Sequence, residues 1–84
     1  MESKAIQKNI LNFILENFPN AKAYNINEES SLLKDKIIDS LGILTIIQFL
    51  EEEFGVIIKD EEVDESNFNS IKSITSFINS KIKA

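Results

Sequence analysis

The sequence predicts a small all-α protein, a bundle of three to four helices with one long loop between the first and second. Apolar residues recur at three- and four-residue spacing in three separate segments. Only two Gly and one Pro interrupt 84 residues, of which 43% are hydrophobic. No stretch reads as a strand. A chain of this length fits one small domain, taken as residues 1–84.

The first helix is expected over residues 3–18, with Ser3 as its N-cap. Ile6, Ile10, Phe13, Ile14 and Phe18 share one face, Leu11 lies near its edge, and Pro19 with Asn20 stops the helix. No period lasts from Pro19 to Ile38. This reads as a loop anchored by Tyr24, Ile26, Leu32, Leu33 and Ile37, and a loop of about 20 residues is usually functional or pinned by its own apolar contacts.

The second helix runs from Ser40 to Phe54. Its expected core stripe is Leu44, Ile47, Leu50 and Phe54, widened by Ile43 and Ile46. Asp39 stands at the N-cap, and Gly55 suits the left-handed residue that ends a helix. Val56, Ile57 and Ile58 then return apolar side chains to the core. Residues 60–68 read as one short helical turn ending on Phe68. Ser70 caps a last helix over 71–82, with Ile71, Ile74, Phe77, Ile78 and Ile82 facing inward and Lys81 and Lys83 where the macrodipole favours them.

The charge is uneven. Net charge is −5, and residues 39–65 hold nine carboxylates against one ammonium group, Lys59. A phosphate backbone is repelled by such a stretch, whereas a basic protein surface is attracted, so the expectation is no nucleic acid. A solvated face that keeps a small domain soluble explains the same charges without any partner. There is no Cys, no signal-like N-terminal segment, and no apolar run near the roughly 20 residues of a membrane span. No membrane association, a cytoplasmic location and a monomer are therefore expected. With no His and no Cys, the usual zinc ligands, imidazole acid–bases and thiolate nucleophiles are missing. Neither a phosphate-binding Gly loop nor GxSxG occurs. The run DEEVDE at 60–65 lacks the glycine and ligand spacing of an EF-hand, so no metal site is expected. The chain is not expected to be an enzyme.

Asp39-Ser40-Leu41 opens a helix that closes on FLEEEFGV and is followed by a DEE segment. This pattern, across nearly the whole chain, resembles the acyl carrier proteins and the related peptidyl carrier proteins. The resemblance implies a bundle of acyl-carrier-protein type. It also implies that Ser40 is esterified with 4′-phosphopantetheine by a phosphopantetheinyl transferase, making the chain a phosphoprotein. Acyl or aminoacyl intermediates of fatty-acid, polyketide or related biosynthesis would ride on that arm as thioesters, which suits a protein without cysteine. By the same resemblance Asp39 helps place the metal ion during arm transfer, and the second helix is the main docking element. Glu51, Glu52 and Glu53 would then meet basic surfaces of loading, elongating and releasing enzymes. Leu41 either offers those partners an apolar contact or packs onto the first turn.

The position suits a phosphodiester, since a helix N-terminus presents unpaired N–H groups and partial positive charge. Ser40 and Asp39 are also common helix caps, and an unmodified acidic helical adaptor is the competing reading. The chain departs from the fatty-acid carriers near the serine, with Ile37-Ile38 before the motif and Gly42 and Thr45 after it. Its docking face is less acidic there, which makes a specialised pathway comparable with fatty-acid synthesis.

Overall fold

The computed structural model describes residues 3–23 and 25–83, with their side chains except those of Ser3, Asn20, Ser40 and Lys83. The cap expected at Ser3, the loop anchor Tyr24 and the Lys83 side chain lie outside what is described. The helices are α1 (Ser3–Asn17), α2 (Pro19–Ala23), α3 (Ser40–Phe54), α4 (Glu65–Phe68) and α5 (Ile71–Lys83), with a 3-10 turn at Asp60–Glu62 before α4. Among the described residues there is no strand. The all-α bundle expected from the sequence is what the chain forms.

In α1, Ile6, Ile10 and Ile14 are fully buried, one on each successive turn. Phe18 donates its N–H to Ile14 O at 2.9 Å and closes the last turn. Pro19, lacking an N–H, ends α1 but is preset for the first turn of a helix, so it opens α2. The expected loop is thus shortened at its start, and Ala21 of α2 is fully buried.

The remaining connection is pinned by backbone hydrogen bonds to the α4–α5 junction. Leu32 N–H reaches Asn69 O at 2.7 Å, and Lys72 N–H reaches Glu28 O at 2.9 Å. A loop whose polar backbone is satisfied in this way can lie against a core. Leu32, Ile37 and Ile38 are buried there, while Ile26 and Leu33 are half-buried.

The core side of α3 differs from the expected stripe. Ile43, Ile46 and Leu50 are buried, Ile47 and Phe54 are half-buried, and Leu44 is 62% exposed. The helix is turned so that residues 43, 46 and 50 face the core, which carries Leu44 out to the surface. Gly55 ends α3 with φ +65° and donates to Glu51 O at 3.0 Å. Of the next three residues only Ile58 is buried; Val56 is half-buried and Ile57 is 78% exposed. Successive side chains of a segment outside any helix leave the backbone in different directions, so three apolar neighbours do not all face inward.

The segment 60–68 forms two turns instead of one. Asp64 caps α4 by accepting Asn67 N–H at 2.9 Å, and Phe68 is buried. Ser70 Oγ accepts Ser73 N–H at 3.1 Å at the start of α5, the expected cap. Ile71, Ile74 and Ile78 are fully buried, whereas Ile82, expected inside, is 37% exposed at the helix end. The buried Thr75 hydroxyl donates to Ile71 O at 2.8 Å, so no buried polar group is stranded there. Helices α1, α3 and α4 all pack on α5. The Phe13 and Phe49 rings stack with centroids 4.0 Å apart and join α1 to α3.

Candidate functional site at the start of α3

Ser40 is the first residue of α3, between two exposed neighbours, Asp39 and Leu41. Its own side chain lies outside what is described. Asp39 is the N-cap, with Oδ1 accepting Gly42 N–H at 2.8 Å. The cap therefore belongs to Asp39, and capping alone does not account for a serine at 40. Leu41 is 73% exposed, so it does not pack onto the first turn.

What holds that turn is a close approach the sequence did not reveal. A Cβ built on Gly42 would lie 2.7 Å from Ile38 Cγ2 and 2.9 Å from Phe18 Cε1. Ile38 is buried and has little room to retreat, while the half-buried Phe18 packs edge-on against Phe13. Glycine at 42 lets the loop and the end of α1 seat directly on the helix backbone.

One turn along α3 a cleft of about 620 Å³ opens, lined by Leu33, Ile43, Leu44, Val63 and Phe68, with Lys34, Asp64 and Glu65 also bordering it. Asp64 is held below the ordinary carboxylate range, first by the Asn67 N–H and then by the Ser66 hydroxyl. Leu44 belongs both to this cleft and to the exposed face that begins at Leu41. Between Asp39 and Glu51 no residue carries a charge.

The three expected docking carboxylates have different surroundings. Glu51 is half-buried, and its Oε2 accepts Ile58 N–H at 2.9 Å, which ties the segment after Gly55 back to the helix. Glu52 and Glu53 are exposed, and Glu52 lies 3.5 Å from the Gln48 amide. A helix rises 1.5 Å per residue, so these two stand about 18–20 Å along α3 from Ser40.

Comparison with known proteins gives the same direction. The chain is 41% identical over 56 residues to an acyl carrier protein of Thermosynechococcus vestitus, covering 67% of each chain. Over 70 residues it is 34% identical to an acyl carrier protein of Buchnera aphidicola from Schizaphis graminum, covering 83% of this chain and 86% of the relative. The chain belongs to the acyl carrier protein family. A third member, the probable acyl carrier protein PigG of a Serratia strain, is 24% identical over 73 residues, or 87% of this chain and 84% of the relative. No family model matches the chain. Among the described residues of this acyl carrier protein, no helix is long and apolar enough to cross a membrane.

Proposed function

We propose that this acyl carrier protein bears 4′-phosphopantetheine on the Ser40 hydroxyl and carries acyl or aminoacyl groups between enzymes without catalysing their conversion. The observation that carries this reading is a serine on the first residue of α3, between an exposed cap and an exposed leucine. Such a position fits the arm. It lies between surface residues, and the positive end of the helix favours a phosphodiester. When bound, the arm supplies the thiol that the chain lacks, and with it a thioester link to the cargo.

The chain's own residues have the remaining roles. Asp39 fixes the turn through Gly42 N–H and is available to the metal ion used in arm transfer. The cleft bordered by Ile43, Leu44 and Phe68 begins one turn from Ser40, and its apolar lining suits the shelter of an aliphatic cargo. Leu41 offers partners an apolar contact, and Glu52 and Glu53 steer basic enzyme surfaces toward the helix. Glu51, engaged with Ile58, contributes charge but holds the fold. The chain acts as one monomeric cytoplasmic domain in fatty-acid, polyketide or related biosynthesis.

The test is the intact mass of the chain after incubation with coenzyme A and a broad-specificity phosphopantetheinyl transferase. A gain of one arm is expected for the native chain and none for Ser40→Ala. A mass that does not change in the native chain leaves the acidic adaptor as the better reading.

A further inference from the structure

A second hollow touches the start of α3. It measures about 150 Å³, is lined by Phe18, Pro19, Lys36, Ile37 and Asp39, and shares no lining residue with the cleft at Leu44. Lys36 is its cation. The backbone at Lys36 is left-handed, with φ +58°, a conformation that crowds the Cβ of any residue but glycine. The other non-glycine residue of this kind among those described is Asn25, whose short polar side chain suits it. Lysine has no such aptitude, so the strain points to a use for its side chain. The turn is held on both sides: Lys36 N–H donates to Leu33 O at 3.1 Å, and Ile37 and Ile38 are buried. The Lys36 ammonium is unclaimed, since the two ion pairs among the described residues engage Lys72 and Lys81.

A phosphodiester on Ser40 would need such a cation. Asp39 beside it is negative, and its carboxylate already takes the Gly42 N–H of the first turn. Along the chain the nearest cation before Ser40 is Lys36, four residues away, whereas the nearest after it is Lys59, nineteen away. We infer that this hollow seats the base of the 4′-phosphopantetheine arm. Lys36 pairs with the phosphodiester anion, and Phe18 with Pro19 receives the dimethyl-substituted carbon next to it. This seat presupposes an arm on Ser40 and gives it a defined first segment, apart from the cargo cleft.

The test uses the isotope-labelled chain loaded with an unlabelled arm from coenzyme A, with loading read by intact mass. Nuclear Overhauser contacts should run from the two methyl groups of the arm to the Phe18 ring. Lys36 is exposed, so Lys36→Gln should load and fold as the native chain does. It should weaken those contacts about two- to fivefold, the range for an exposed ion pair, and move the phosphorus resonance. About 0.5 M salt should weaken the contacts similarly in the native chain and little in Lys36→Gln. Lys34→Gln, on the border of the cleft, should leave both signals as they are. Lys36→Gly should lose the contacts yet melt no lower than the native chain, because glycine relieves the left-handed strain. Methyl contacts to Leu41 or Leu44 in place of Phe18, or unchanged signals in Lys36→Gln, would overturn the seat. So would a larger effect from Lys34→Gln or a lower melt for Lys36→Gly. A native chain that gains no arm would overturn the Ser40 reading itself, and the seat with it.

Discussion

Two leucine-sized residues on one helix test the packing of α3 directly. Ile46 is fully buried and Leu44 is 62% exposed, although both sit in the same apolar run. Truncating Ile46 to alanine removes buried atoms and leaves a cavity, at a cost of about 2–5 kcal/mol. A fully buried leucine side chain gains about 1.5–3 kcal/mol from leaving water, and Leu44 keeps only a minor part of that. Leu44→Ala should therefore cost no more than about 1 kcal/mol. A domain of this size has total stability on the order of 4–12 kcal/mol, so Ile46→Ala should lose a large share of it. Urea titration followed by circular dichroism reads both, as a fall in midpoint with little change in slope. If Leu44→Ala lowers the midpoint as far as Ile46→Ala, the rotation of α3 is wrong. The exposed face and the cleft that share Leu44 would then have to be redrawn.

Asp39→Ala should cost about 0.5–2 kcal/mol through the lost cap, while Ser40→Ala should melt within about 0.5 kcal/mol of the native chain; denaturant melts of the two separate cap from attachment site. Glu51→Ala should destabilise by about 1–2 kcal/mol because Ile58 N–H loses a charged acceptor. The double change Glu52→Lys with Glu53→Lys should leave the melt nearly unchanged and slow association with a phosphopantetheinyl transferase, most at low salt; equal association rates would remove these carboxylates from the docking face. Glu62 is held below its ordinary value of 4.5, chiefly by its hydrogen bond from Lys81 and then by the Lys59 N–H. A carboxylate depressed in the folded state stabilises above its ordinary value, and that contribution is lost as pH falls through the folded value. Thermal melts of the native chain should therefore drop below about pH 4.5 more steeply than those of Glu62→Gln.

Much of this was legible because local chemistry decides it. Asp39, Gly55, Asp64 and Ser70 terminate helices through their own side chain or backbone freedom, and three of these were assigned from neighbouring residues alone. The short helix at Pro19 was missed because proline is both a helix stop and a favoured first helical residue, and only the burial of Ala21 tells which applies here. The rotation of α3 was missed for another reason. Ile43, Leu44, Ile46 and Ile47 make the run apolar on nearly every side, so the stripe has no unique phase. A signal was nevertheless available: residues 43, 46, 50 and 54 are spaced 3, 4 and 4, closer to the helical period of 3.6 than 44, 47, 50 and 54. The cleft joins Leu33, Ile43 and Val63 across three segments, and no periodicity within one segment reports on such a meeting.

The flanks of α3 explain how one short helix can be held and still present its surface. On one side Phe18 and Ile38 press on Gly42, and the rings of Phe18, Phe13, Phe49 and Phe54 follow in contact from the first turn to the last. On the other side Leu41 and Leu44 are exposed, and α3 itself carries no charge before Glu51. Apolar contact acts only at touching distance, whereas carboxylates are felt across a Debye length of about 8–10 Å. In the proposed docking, then, Glu52 and Glu53 act first, drawing a basic partner to the far end of the helix. Leu41 and Leu44 act later, by fit, next to the serine. The two steps are separated by nearly the length of α3, so charge changes at the far end should alter how fast partners arrive. Changes at Leu41 should alter how long they stay.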